Sequence, residues 1–430
     1  MNAVTLRDIG YGMVMFSGIV LMLVDIPLKA EGAESPRPSY DLLRIIDLAV
    51  ERNPVMAGAR GVIDQSAGQR VTAGAYPNPT IKGDSGRGFL RDAGPVLTPE
   101  IPKSATEYFF SAGQPLEWPA KRAARQLAAE AGLAGATAGL VETRLNLATD
   151  VKLAFYDLLL AQRDEGLARQ NLEIVKDVQR IVNVRVRLGE APQFEAIKAQ
   201  VEVLKADQVV TRAENAVQVN RVILDTLTVG ALGSDYTIDG EFRYFPKDLD
   251  LGRLITLAVD QHPSIQRLAK SVEQADRNIQ FERHARVPNV TVSGSYAREY
   301  GREGFDFGVS VPTPIWYRQQ GEIAKALGAK RTEEAAFLRI RNTLVKEVNQ
   351  YFQDAETTAH LIEVFEKGLL KQAQEALRIA QFSFQQGAVS LLEVLDAQRV
   401  QRQILFDYAQ ARFELSIALT RLERAVGGPL

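Results

Sequence analysis

Apolar side chains return every seventh residue along two long stretches of this chain, and these rows set the first expectation. Between Lys121 and Arg187 one row runs through Leu140, Leu147, Ala154, Ala161, Ala168, Val175 and Val182, and a second through Val151, Leu158, Leu172 and Val186. Between Gln319 and Phe384 the corresponding rows are Leu338, Val345, Phe352, Ala359, Ala373 and Ala380, and Val348, Ala355, Ile362, Leu369 and Ala376. Sustained heptads predict long helices in coiled-coil packing, over 121–187 and 319–384. A further row through Phe337, Leu344, Tyr351, Phe365 and Ile379 widens the second apolar face, as a helix with a neighbour on each side requires. From the helices alone, an extended coiled-coil hairpin is also open.

Each long helix should end in a glycine turn, RLGEAP (187–192) and QQGAVS (385–390). Gly189 and Gly387 fit the left-handed position after a helix, and Pro192 and Ser390 fit the start of returning helices over 192–228 and 391–424. A helix from about Asp41 should break at Asn53-Pro54 and resume to about Tyr76, since proline is tolerated in a first turn only. About 67 residues of helix span ~100 Å at 1.5 Å per residue, and the pieces 54–76 and 192–227 placed end to end span ~89 Å. Four helical rods per chain follow, two continuous and two composite.

Period-two alternation marks the strands, expected at about 80–116 and 289–315. The first pair is divided by a loop containing Pro95, Pro99 and Pro102. In the second pair, Phe305, Phe307, Val309 and Val311 oppose Asp306, Gly308 and Ser310, while Val290, Val292 and Tyr296 oppose Thr291, Ser293 and Ser295. Apolar residues on one face and small polar residues on the other suit a transmembrane barrel wall around water; a soluble sheet with one buried face reads alike. Four strands cannot close a barrel, and open edges are not tolerated in lipid. The barrel reading therefore requires several chains.

The chain also repeats itself. LAVERNP from Leu48 returns as LAVDQHP from Leu257, Pro115 of QPLEW as Pro314 of TPIW, and GEAPQFEAIKAQ from Gly189 as GAVSLLEVLDAQ from Gly387. Two repeats are expected, 33–250 and 251–430. Within 430 residues, 51 basic and 53 acidic side chains nearly balance, so no basic face recommends nucleic acid. Cysteine is absent, which removes disulfides and thiolate metal sites. Ahead of the repeats, Arg7 precedes an apolar run from Tyr11 to Val24, followed by Ala30, Gly32 and Ala33. That length suits a signal peptide over 1–32 better than a spanning helix, with a single N-terminal anchor as the alternative.

The ordered set of landmarks resembles the TolC-like outer-membrane efflux family from about Leu42 to Leu422. It is carried by the openers ending Asn53-Pro54 and His262-Pro263, YPNP (Tyr76–Pro79), QPLEWPAKRAAR (Gln114–Arg125), and the two glycine turns followed by Glu195 and Glu393. YPNP and QPLEWPAKRAAR are most similar to the heavy-metal-efflux branch, although Trp118 and Pro119 stand where that branch has glycines. The resemblance implies a mainly α fold with a small β part: a homotrimer whose long coiled-coil helices form an α-barrel below a shared twelve-stranded outer-membrane β-barrel. It implies a periplasmic membrane-fusion adaptor, an inner-membrane efflux transporter of the RND type and outer-membrane lipid as partners. It implies a periplasmic constriction at Glu393, Asp396 and Glu195, and adaptor contact at the tips formed by Arg187, Leu188, Gly189, Gln386 and Gly387. Phe384 and Val389 replace a hydroxyl-bearing aromatic and a basic residue at two gate-locking positions of the family.

The function implied is a passive exit duct of a tripartite pump, with heavy-metal cations among its cargoes. Drug efflux, type I protein secretion and a pore-less periplasmic scaffold are the alternatives. His262, His284 and His360 are scattered, and no nucleophile-base set, phosphate loop or metal motif stands out, so no catalytic residue, cofactor or resident metal is expected.

Overall fold

The computed structural model describes residues 38–89, 104–246, 248–299 and 302–430. The leader expected over 1–32 and the proline-bearing loop lie outside them. The body beginning at Ser39 opens with a short strand β1 (Ser39–Asp41) and the helices α1 (Leu42–Arg52) and α2 (Pro54–Gly74). Strands β2 (Thr80–Phe89) and β3 (Ser104–Leu116), the long α3 (Pro119–Arg187) and the returning α4 (Gln193–Leu227) follow. After β4 (Thr237–Asp239) the order recurs: α5 (Leu251–Gln261), α6 (Pro263–His284), β5 (Val290–Glu299), β6 (Arg302–Ser310), a long helix, and a returning one. That second long helix is α7 (Gln320–Val364), one π-helical turn (Phe365–Leu369) and α8 (Leu370–Gln385); the returning helix is α9 (Leu391–Val426).

Helix α3 lies at the centre of the packing. Its heptad rows are buried from Leu147 through Val151, Ala154, Leu158, Ala161, Ala168, Leu172 and Val175 to Val182. Near its start it meets α2 and α6, and toward its end α4 and α9. Close approach of α6 depends on small residues: a Cβ on Gly132 would come within 2.8 Å of the Gln274 amide, and one on Gly139 within 3.4 Å of Arg267.

The composite rods are joined by side-chain caps. Asn53 opens α2 by accepting the Val55 N–H (3.0 Å), and its own amide donates to the Leu227 carbonyl at the end of α4 (2.9 Å). His262 does both tasks for α6 and α9. Its Nδ1 accepts the Ser264 N–H (3.1 Å), and its Nε2 lies 3.0 Å from the Arg424 carbonyl. One buried polar side chain thus satisfies orphan groups of two helix ends at once.

Strands β2, β3, β5 and β6 form one antiparallel sheet in that order. Register aligns Phe110, Tyr296 and Phe305, then Ala112, Gly294 and Phe307, then Gln114, Val292 and Val309 on one face. The alternate rows, Ser111, Ser295 and Asp306, then Gly113, Ser293 and Gly308, lie on the other. Strands β2 and β6 are its edges.

One row departs from expectation. In the second long helix Val348, Ala355 and Ile362 are buried, but Leu369 and Ala376 are exposed; the buried positions beyond the π-turn are Ala373, Leu377 and Phe384. The π-turn inserts one residue, so the row resumes one position later. Leu338, expected in the first row, is also exposed.

Candidate functional site

The two glycine turns lie side by side at one end of the rods. At Gly189 (φ 77°) the Glu190 N–H reaches the Arg185 carbonyl (2.9 Å) and the Gly189 N–H that of Val186 (3.1 Å). At Gly387 (φ 73°) the same pair is Ala388 to Ser383 (2.9 Å) and Gly387 to Phe384 (3.0 Å). Both are Schellman closures, which need a residue at positive φ and so favour glycine. Residues of both turns share one apolar cluster: Val178, Val182 and Ala199 with Phe384, Leu391 and Val394. Phe384 is 1% exposed, and the Arg185 guanidinium sits 5.0 Å above its ring. Val389 packs against the same cluster. Phe384 and Val389, which the resemblance set at gate-locking positions, are part of an apolar clasp between the turns. Arg185, which fastens one turn to the other, carries no motif signal and was not legible beforehand.

Of the expected tip residues, Arg187, Leu188, Gly189, Gln386 and Gly387 are all exposed, Leu188 and the nearby Phe194 to 67% and 70%. Glu195 and Glu393 each occupy the third position of a returning helix, where a carboxylate also complements the helix dipole. Glu393 and Asp396 are exposed one helical turn apart; Asp396 pairs with Arg399 on the same helix (2.6 Å), while Glu393 and Glu195 have no ion-pair partner among the described residues. Glu195 stands on α4, and Glu393 and Asp396 on α9. Further up, the Gln398 and Asn171 amides hydrogen-bond, tying α9 to α3.

At the other end, the QPLEWPAKRAAR segment makes the corner between sheet and rods. Arg125 holds Glu117 with two bonds (2.7 and 2.9 Å) and donates to the Ala73 and Ala75 carbonyls (2.9 and 3.1 Å). Arg122 donates to Gly74 (2.8 Å) and stacks 3.9 Å from the Tyr76 ring; Gln114 bonds the Pro77 carbonyl (2.9 Å). The motif thus caps the last carbonyls of α2 and fixes the YPNP turn. The sequence had marked this segment only through its resemblance; the bonds that Arg122 and Arg125 make to α2 come from the fold.

A family model described as "Outer membrane efflux protein" matches residues 45–230 and 254–428. The chain belongs to the outer membrane efflux protein family. Its members are outer membrane channels, not enzymes. The chain is 24% identical to the cobalt-zinc-cadmium resistance protein CzcC of Cupriavidus metallidurans, over 89% of this chain and 88% of that one. It is 24% identical to the pyoverdine export outer membrane protein OpmQ of Pseudomonas aeruginosa, over 93% and 85%. A crystal structure of a membrane protein from Pseudomonas aeruginosa superposes with a TM-score of 0.77 at 20% identity, covering 91% of each chain. In this efflux protein, no helix among the described residues is long and apolar enough to cross a membrane, and no described group of three or more His, Asp or Glu is placed to hold a metal ion.

Proposed function

We propose that three copies of this chain form an outer-membrane exit duct for a tripartite efflux pump. The observation that carries the reading is a two-faced sheet with two open edges, fastened through the Arg125 corner to helical rods roughly 100 Å long. An apolar face with a polar back suits a barrel wall, and edges β2 and β6 are satisfied when neighbouring copies pair them. Exposed apolar stripes on α4 (Phe194, Ile197, Val201, Leu204) and on α7 and α8 (Leu361, Val364, Ile379, Phe382) support the same assembly, since each is a face for an adjacent copy to cover.

In this reading the Gly189 and Gly387 tips point into the periplasm, where an adaptor and an inner-membrane transporter meet them. Exposed Leu188 and Phe194 favour an apolar adaptor contact. Glu393, Asp396 and Glu195 narrow the entrance; threefold symmetry repeats each carboxylate around the axis, and crowded carboxylates favour cations over anions. Heavy-metal cations are the cargo we favour, on the similarity to CzcC.

The test is conductance of the purified full-length protein in planar bilayers, beside the double variant Glu393→Gln with Asp396→Asn. Wild type should form cation-selective pores as a detergent-dependent trimer, and the double variant should lose selectivity and divalent-cation block while remaining trimeric. A water-soluble monomer without conductance would sink the duct in favour of a pore-less scaffold. Wild-type selectivity in correctly assembled variant trimers would reduce these carboxylates to helix-start residues.

A further inference from the structure

The two composite rods use the same joint with different chemistry. Asn53 and His262 both precede a proline, both cap the helix they open, and both bond the last turn of the helix that ends against them. An amide does this at any pH. An imidazole does it only while neutral, because Nδ1 must accept the Ser264 N–H as Nε2–H donates to Arg424. We propose that His262 makes the α9–α6 joint an acid-sensitive hinge, which its Asn53 counterpart between α4 and α2 is not.

The surroundings favour the neutral ring. His262 is buried, and Gly427 (φ 97°) packs onto it so closely that a Cβ there would stand 3.1 Å from the ring's Cδ2. A proton on Nδ1 would face the Ser264 N–H and the positive end of the α6 dipole. The charged groups around it are Glu142 on α3, Arg424 on α9, Glu347 on α7 and Arg267 on α6. Among these charges Glu142 attracts a proton most, but it already accepts Ser264 Oγ (2.7 Å) and Arg267 (2.6 Å). Burial is the largest influence and lowers the imidazole below its usual range, against the opposing pull of the Arg424 carbonyl and Glu142. With the folded-state value depressed, the joint is intact above the usual histidine range and weakens as pH falls through it. Since α9 carries Glu393 and Asp396 at its far end, loosening its upper anchor frees the helix that bears them.

Amide hydrogen exchange on the detergent-solubilised full chain tests it, comparing the first turns of α6 and α2 at about pH 7.5 and about pH 5, corrected for intrinsic exchange. Wild type should lose several-fold more protection at α6 than at α2 on acidification, because only the α6 joint holds a group that gains a proton in that range. His262→Asn should keep neutral-pH protection and lose the acid response, because Asn53 shows that an asparagine can bridge such a joint. The reciprocal Asn53→His should make the α2 joint respond to acid. Equal responses at the two wild-type joints, or an unaltered response in His262→Asn, overturns the proposal.

Discussion

The long helices of the two halves present the same lattice of inward positions, but one of them holds an extra residue. Positions 147, 151, 154, 158, 161 and 168 of α3 correspond to 344, 348, 351, 355, 358 and 365 of the second helix, an offset of 197; all are buried or half-buried. Positions 172, 175, 182 and 186 correspond to 370, 373, 380 and 384, an offset of 198, and again none is exposed. The change falls within the π-turn Phe365–Leu369. Simple insertion into an α-helix would rotate everything beyond it by about 100°. A π-turn confines the extra residue to one turn, so both helices reach their glycine tips in phase. Contacts with α9 brace the turn: Tyr408 donates to Glu366 (2.8 Å), and the Phe365 and Tyr408 rings lie 5.9 Å apart.

Deletions test this comparison most severely. Removing Gly368 should convert the π-turn to ordinary helix and leave both sides in register, with stability within about 1 kcal/mol of wild type. Removing Gly166 from α3 deletes no contact of its own, since nothing lies within 4 Å of its Cβ position. It turns Leu172, Val175 and Val182 off their neighbours, at a cost of more than about 5 kcal/mol judged from large-to-small core changes. Thermal unfolding and protease cleavage at the tips would report both. Equal damage from the two deletions would mean the π-turn does not serve as a register device.

The corners differ in the same manner. Glu117, with a side chain 3% exposed, depends on Arg125; Arg125→Leu strands it, and breaking such a pair costs about 3 kcal/mol. In the second half the Arg318 side chain makes one long bond to the Pro314 carbonyl (3.3 Å) on an exposed loop beside Trp316, itself 94% exposed. Arg318→Leu should cost less than about 0.5 kcal/mol in the unassembled chain. Denaturant unfolding of both variants compares them directly, and a large loss from Arg318→Leu would show that the second corner is clamped after all.

Heptads, glycine turns and proline openers made the helices legible, because each is a local rule with one dominant physical cause. Strand alternation was legible for β6, where Phe305, Phe307 and Val309 leave no doubt about the faces, and weaker in β2, where Gly83, Gly86 and Gly88 dilute it. The π-turn was not legible, because Leu369 and Ala376 continue an apolar heptad that the fold does not use. Asn53 and His262 were visible as helix openers only; their second bonds, to Leu227 and Arg424, join residues 174 and 162 positions apart. The Glu393 and Asp396 pattern came through resemblance, since a carboxylate in a first helical turn has an ordinary reason to be there.

The smallest effect concerns charge along the same pair of helices. Asp150, Asp157 and Asp164 of α3 stand where the second helix has Glu347, Asp354 and Leu361, at the offset of 197. Burial raises the first two carboxyls above their usual range, and Arg424 and Arg421 respectively draw them back. Asp164 has no such cation, and burial pushes it up to about 6. A carboxyl held more weakly acidic in the folded protein than in the unfolded chain favours folding while protonated; that benefit fades as pH rises from about 4 to about 6. Above this window the buried charge is a standing cost, which the leucine in the other helix does not incur. Asp164→Asn should therefore raise the unfolding midpoint above about pH 6 and change little below about pH 4, whereas Asp157→Asn should gain less because Arg421 already offsets its charge. Midpoints measured across that range decide the matter: a gain of the same size at every pH would trace the effect to packing or hydrogen bonding of the amide, not to an uncompensated carboxylate on α3.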